Sequence, residues 1–241
     1  MRLLLILVIL AAVAVAALML LRWRGLILLS HEAAPDQWEV FGVDVSSYQG
    51  EVDWSVLAEQ GVEFAFIKAT EGSTLQDRQF RSNWEGAQAA GVRPGAYHFL
   101  SYDSPGETQA ENFIDQVPVT QGALPPVVDI EFYGSYLEDP PEKEHVHAIL
   151  DPLLERLEEH YGVKPILYVT YRSYYRYLAG EGYGDYPIWC SSLTVFPLMP
   201  RWDFWQYSHT ARLDGYTGSQ QQIDLNIFRG SREQFDRFGL G

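Results

Sequence analysis

The sequence predicts an α/β fold, an irregular TIM-like barrel of five β/α units followed by three further strands. Three observations predict it. Short apolar or β-branched runs recur eight times between residues 40 and 228, and eight strands close a barrel. The first five runs alternate with helical stretches, the pattern of parallel β/α units. The last three follow one another with little room for helices. An open doubly wound sheet is the alternative, but no glycine-rich phosphate turn follows any run.

The runs are VFGVDVS (40–46), FAFIKA (64–69), RPGAYHFL (93–100), PPVVDIE (125–131), KPILYVT (164–170), YPIWCSS (186–192), FWQYS (204–208) and IDLNIF (223–228). After the first, Asp53 is placed to cap a helix over VDWSVLAEQG that stops at Gly61, because a carboxylate there accepts from orphan backbone N–H groups. RQFRSNWEGAQAAG stops at Gly91, where glycine tolerates a left-handed end. SPGETQAENFIDQV opens on Ser-Pro, a helix-start signal. The acidic stretch 141–161 carries Pro152, which lacks an N–H and predicts a break or a restarted helix. TYRSYYRYLAG closes the fifth unit at Gly180.

Residues 3–21 are 19 consecutive apolar residues, enough to cross a bilayer as a helix. A cleavable signal is the rival reading, since Ala12-Val13-Ala14 and Ala14-Val15-Ala16 resemble small-residue cleavage sites. The apolar run continues beyond those alanines, and GLILL follows Arg22 and Arg24, so the expectation is an uncleaved membrane anchor. The expected organisation is an anchor over 1–24, a tether over 25–38 and one barrel domain over 39–241. Net charge is −15, and residues 1–24 hold three arginines and no acid, which leaves −18 on the remainder. Nucleic acid is therefore excluded as a partner, because a phosphate backbone needs the opposite balance. Cys190 is the only cysteine, so no intrachain disulfide exists, and within YPIWCSS it reads as a buried small hydrophobe.

The run VVDIE places Asp129 and Glu131 two residues apart on one strand face. Like charges held that close resist simultaneous ionisation. In a barrel, chemistry sits at the C-terminal strand ends. Those ends carry Asp44, Lys68 with Glu71, Tyr97 with His98, Asp129 with Glu131, Tyr168, Trp189 and Gln206, and the last unit carries Asp224. Four acids with aromatic walls suit a sugar: rings stack on pyranose faces, and carboxylates serve as acid, base or stabiliser of an oxocarbenium ion. Acids at i and i+2 lie about 6–7 Å apart along a strand. That separation falls between the retaining and inverting ranges and leaves the stereochemistry open. The acids could instead hold a hard cation, but the chain lacks a D-x-[DN]-x-[DN]-G loop. His145 and His147, at i and i+2 on a helix, share no face and read as solvated. No metal or cofactor is expected. There is no G-x-S-x-G elbow, and Cys190 has no evident base partner. Lys68 and Glu71 read as an ion pair, and His98 as a core or a cleft residue.

The segments FGVDVSSYQGEVDW, FAFIKATEGSTLQD, GVRPGAYHF, PPVVDIE, PILYVT, YPIWCSS, WQYS and QIDLNIF resemble, in order and spacing, family 25 of the glycoside hydrolases, the Chalaropsis-type lysozymes or N-acetylmuramidases. The match spans about residues 40–229. The resemblance implies the same five-plus-three barrel and cleavage of the β-1,4 bond between N-acetylmuramic acid and N-acetylglucosamine in peptidoglycan. It implies Glu131 as general acid and then base, and Asp129 as the group that orients a substrate acetamido nucleophile. Asp44 and Asp224 would sit at the cleft floor, with Tyr97, Phe99, Tyr168, Trp189 and Gln206 lining the sugar site and Tyr48 near its rim. The implied partners are peptidoglycan glycan strands and a membrane reached through residues 3–21, with a monomer expected. The implied location is the bacterial cell envelope, anchored with the catalytic domain outside the cytoplasm or secreted after signal cleavage. Family members frequently carry wall-binding repeats, and none is evident here. The alternative functions are a catalytically inactive peptidoglycan-binding scaffold and a chitinase-like glycosidase acting on polymers without lactyl groups.

Overall fold

The computed structural model describes residues 2–23 and 38–240, so most of the tether expected over 25–38 lies outside the described residues. Helix α1 (Arg2–Trp23) has 22 residues. Among the described residues no helix is long and apolar enough to cross a membrane, so the expected spanning helix over 3–21 is not supported there.

Each of the eight expected runs forms a strand: β1 (Phe41–Val45), β2 (Phe64–Glu71), β4 (Arg93–Phe99), β5 (Val127–Ile130), β6 (Ile166–Thr170), β7 (Ile188–Ser191), β8 (Phe204–Ala211) and β9 (Ile223–Phe228). A ninth, β3 (Leu75–Gln76), folds back antiparallel on the end of β2. Neighbours from β1 through β2, β4, β5, β6 and β7 to β8 are parallel, whereas β9 runs antiparallel to both β8 and β1 and closes the barrel.

Strand alternation sorts the side chains into two cores. Val43, Val45, Ile67, Val128, Ile130, Val169 and Ile227 face outward into the layer beneath the helices. Phe64, Phe66, Val127, Tyr168, Trp189, Phe204 and Phe228 face the barrel axis. Two inward glycines make room for this filling. A Cβ at Gly42 would lie 2.6 Å from the Phe64 ring, and one at Gly95 would lie 2.9 Å from the Phe66 ring. The lower end is plugged by edge-to-face and tilted packing among Phe64, Phe204, Phe228, Phe235 and Phe238. Arg93 locks the plug by donating to the carbonyls of Gly122, Phe235 and Phe238.

The helices are α2 (Trp54–Glu59), α3 (Phe80–Ala89), α4 (Gly106–Gln116), α5 (Lys143–Tyr161), the single turn α6 (Tyr171–Ser173) and α7 (Arg232–Asp236). Asp53 caps α2 as its position predicts, accepting from Ser55 N–H and Val56 N–H. Two expectations need correcting. Pro152 neither breaks nor restarts α5, which continues as one helix of 19 residues. Ile149 and Leu150 before the proline and Leu153, Leu154 and Leu157 after it are all buried, so packing holds both halves in line at the cost of one backbone hydrogen bond. The C-terminal part also holds a helix, because Ser231 caps α7 by accepting from Gln234 N–H and Phe235 is drawn into the barrel plug.

Candidate active site

The parity that sends Phe64 and Phe66 inward also sends Lys68 inward one step higher. The same rule applies on every strand, so the upper end of the barrel gathers Asp44, Lys68, Tyr97, Asp129, Tyr168, Gln206 and Asp224. Asp224 opens its strand, yet β9 runs against its neighbours, so that start lies beside the finish of β1. Asp44 and Asp224 are direct cross-strand partners. The two carboxyls also hydrogen bond to each other.

Two amides clamp this pair. Gln206 Nε2 donates to Asp44 Oδ2 at 3.0 Å and to Asp224 Oδ2 at 3.1 Å. Its Oε1 accepts from Tyr168 Oη and Ser191 Oγ, both at 2.9 Å. Asn226 Nδ2 donates to Asp44 Oδ2 at 2.8 Å, while its Oδ1 accepts from Trp189 Nε1 at 2.8 Å. An indole N–H can only donate, so Trp189 fixes the amide of Asn226 with its NH₂ towards Asp44. Burial raises the pKa of Asp44, and the donors from Asn226 and Gln206 pull it partly back. Burial and then the charge of Asp44 raise Asp224, so Asp224 holds the shared proton. Asn226 and Ser191 were missed in the sequence. Both lie two residues from an expected site residue, Asp224 and Trp189 respectively, so period-two counting would have found them.

Asp129 and Glu131 occupy the end of β5. Asp129 is 7% exposed, and its Oδ1 is buried with no hydrogen-bond partner. Glu131 stands one residue past the strand and is half-buried. The turn beneath it is fixed by Tyr102 Oη, which donates to the Glu131 carbonyl at 3.0 Å. Burial, and then the Glu131 charge, push Asp129 well above the ordinary carboxylate range, while Lys68 pulls it down. Burial and the Asp44 charge likewise raise Glu131 against Lys68. Two carboxyls held this close repel each other, so the pair resists double ionisation. Tyr97 is surrounded by the same acids, and burial with their charges holds its phenol neutral.

The other expected residues occupy different heights. Phe99 is half-buried, is the register partner of Asp129 and meets Tyr133 at 5.3 Å. Phe99 also lines a groove of about 380 Å³ together with Glu71, Ser73, Asp103 and Tyr133. Tyr48 is 63% exposed on the rim, in the turn after β1. Trp189 is 2% exposed and stacked on Phe66 at 4.3 Å, so its observed partners lie below the acids. Tyr168 and Gln206 are also buried, and their side-chain hydrogen bonds join the acid network.

His98 points outward. Its Nε2 meets Gln109 Oε1 at 2.9 Å and must donate there, while its Nδ1 accepts from Thr70 Oγ1 at 2.7 Å. Burial lowers its pKa to about 4, which keeps it a neutral core residue. The Lys68–Glu71 ion pair is present at 2.7 Å. His145 and His147 are not simply solvated: their Nε2 atoms donate to the carbonyls of Tyr102 and Tyr177 and tie α5 to the segments that carry those residues. Among the described residues no group of three or more His, Cys, Asp or Glu side chains could hold a metal ion. Cys190 is fully buried, and burial raises its thiol to about 12.

Residues 43–216 match the family model described as glycosyl hydrolases family 25. The fold is similar to that of a family 25 glycosyl hydrolase from Bacillus anthracis, with 46% identity and a TM-score of 0.82 over 88% of this chain and 99% of that one. It is also similar to the bacterial lysozyme from Streptomyces coelicolor, with 30% identity and a TM-score of 0.75 over 85% of this chain and 98% of that one. Lysozyme M1 of Streptomyces globisporus is 33% identical over 211 residues, covering 80% of this chain and 68% of that protein. The chain belongs to family 25 of the glycosyl hydrolases and is a glycoside hydrolase of the lysozyme kind.

Proposed function

We propose that the chain is an N-acetylmuramidase, hydrolysing the β-1,4 bond between N-acetylmuramic acid and N-acetylglucosamine in peptidoglycan, with Glu131 as general acid and base and Asp129 assisting. The observation that carries this reading is the orphan Oδ1 of Asp129 beside Glu131. A buried carboxylate oxygen without a partner is costly unless a ligand completes it. A substrate acetamido N–H has the right chemistry to do so.

In this reading Glu131 gives its proton to the bridging oxygen as the glycosidic bond breaks. Asp129 Oδ1 accepts from the acetamido N–H and aims the acetamido carbonyl oxygen at the anomeric carbon. Glu131, now a carboxylate, removes a proton from the water that opens the resulting ring. Asp44 and Asp224 support the floor through the two amide clamps. Phe99, Tyr97 and the groove towards Tyr133 receive the glycan, with Tyr48 at the rim.

The test is Glu131→Gln on purified peptidoglycan. Wall clearing falls by about 10²–10⁴-fold while sedimentation with the wall is retained. A native chain that binds the wall without turnover would make it a scaffold instead. The domain plan of an envelope anchor over 1–24, a tether over 25–38 and a hydrolase domain over 39–241 belongs to the same reading. It is supported by the 19-residue apolar run of the sequence. Recovery of the full-length protein in membranes with its N-terminus intact is expected. A soluble product beginning at about residue 15 or later, as a signal-peptide cleavage site predicts, would refute the anchor.

A further inference from the structure

The mouth of the barrel crowds carboxyls from three strands: Asp44 on β1, Asp129 and Glu131 at the end of β5, and Asp224 on β9. Tyr97 on β4 and Tyr168 on β6 face the same space as neutral phenols. Glu71 closes β2, and Asp77 follows β3, held by the backbone N–H groups of Ser47 and Gln79. Among the described residues, Lys68 brings a cation into this assembly. Lys68 projects inward from β2 with a side chain 15% exposed, its Nζ 2.7 Å from Glu71 Oε2 and 5.0 Å from the centre of the Phe99 ring. Phe99 is in turn the register partner of Asp129. The β2–β4 pairing slips by one residue between Lys68 and Thr70. A bulge of this kind re-aims the side chains around it.

We propose that Lys68, tethered by Glu71, is a positioning residue for the hydrolysis: its ammonium keeps one member of the Asp129–Glu131 pair charged while the other keeps its proton. The inference rests on the muramidase reading of the site. Desolvation alone drives a pair of buried carboxyls towards double protonation, which would leave no anion to orient the acetamido group or to balance positive charge at the anomeric carbon. An ammonium over Phe99 opposes that drift at Asp129 and Glu131, and its field lowers both. Asp44 is governed by burial and then the two amides, and Asp224 by burial, then Asp44 and then Glu131. Glu71 has two opposed effects. It fixes the position of Nζ, and its own charge raises Asp129.

The sign of the effect separates this role from a purely structural ion pair. The acid limb of the kcat/KM profile reports the carboxyl that must be ionised. Removing the cation raises that group, so Lys68→Met should move the limb to higher pH by about one unit or more, the usual effect of an adjacent opposite charge. At a pH on the limb this is about a tenfold loss. Lys68→Arg should restore the native limb, and Glu71→Gln should move it to lower pH. Carbon NMR titration of the labelled Asp and Glu carboxyls in the native chain, Lys68→Met and Glu71→Gln should show the same opposed shifts without reference to turnover.

A uniform loss of rate with an unmoved limb and unmoved titrations would overturn the proposal. If Lys68→Met fails to fold, Lys68→Gln decides in its place, and an unchanged limb with unmoved titrations refutes the role. Opposed NMR shifts in a chain that cleaves no peptidoglycan would sink the muramidase reading and leave the electrostatic coupling standing.

Discussion

The lower and upper halves of the barrel interior are built on the same strands by the same inward parity, yet they are chemically opposite. Below, Phe64, Phe66, Phe204 and Phe228 fill the axis with rings 5.1–5.5 Å apart. Two residues higher on the same strands stand Lys68, Gln206 and Asn226, where Gln206 donates to Asp44 and Asp224 and Asn226 donates to Asp44, and burial raises both carboxyls. Trp189 and Tyr168 mark the boundary, apolar on their ring faces and donating upward at Nε1 and Oη. The lower half stabilises the barrel, and the upper half is held in place against its own cost. A buried carboxyl raised above its ordinary pKa destabilises the native state whenever solution pH exceeds that ordinary value.

Two substitutions break this comparison from opposite sides. The larger effect is expected below. Phe204→Ala removes a fully buried ring contacting Phe64, Phe66, Phe228 and Phe238, and should cost about 3–5 kcal/mol in denaturant unfolding. A loss below about 1 kcal/mol, no more than an exposed residue would cost, would show that the plug is not the stabilising element. Above, Asp224→Asn should act in the other direction and depend on pH. The folded pKa of Asp224 is raised, so its contribution to stability is complete below the unfolded value and is lost as pH rises through the folded one. Asparagine does not titrate, and its NH₂ can still donate to Asp44. The variant should therefore gain melting temperature relative to the native chain from about pH 4 to about pH 8. A difference that is flat across this range would mean that Asp224 is not the group holding the proton.

Much of this division was legible in the sequence, and its gaps have physical causes. All eight barrel strands follow from short β-branched or aromatic runs, because period two and local propensity agree there. Asp44, Asp129 and Glu131 were legible as acids set into apolar runs. The height of a side chain along the barrel axis was not. Parity assigns Trp189 to the interior, but only the stagger of neighbouring strands places it below the acids. The direction of β9 was equally hidden, since nothing local encodes antiparallel closure, and it is what brings Asp224 beside Asp44. Pro152 misled because a local rule met a longer one: leucine packing on both sides outweighs one missing hydrogen bond. The two-residue β3 and the short α7 fall below the length at which periodicity carries a signal.

The central claim is that the upper half cuts one particular sugar linkage through Glu131. The most direct measurement is mass spectrometry, after borohydride reduction, of the ends released from purified peptidoglycan by the native chain and by Glu131→Gln. The account predicts reduced N-acetylmuramic acid as the new end with the native chain and none above background with the variant. Reduced N-acetylglucosamine ends, anhydro ends, or equal release by the variant would contradict it.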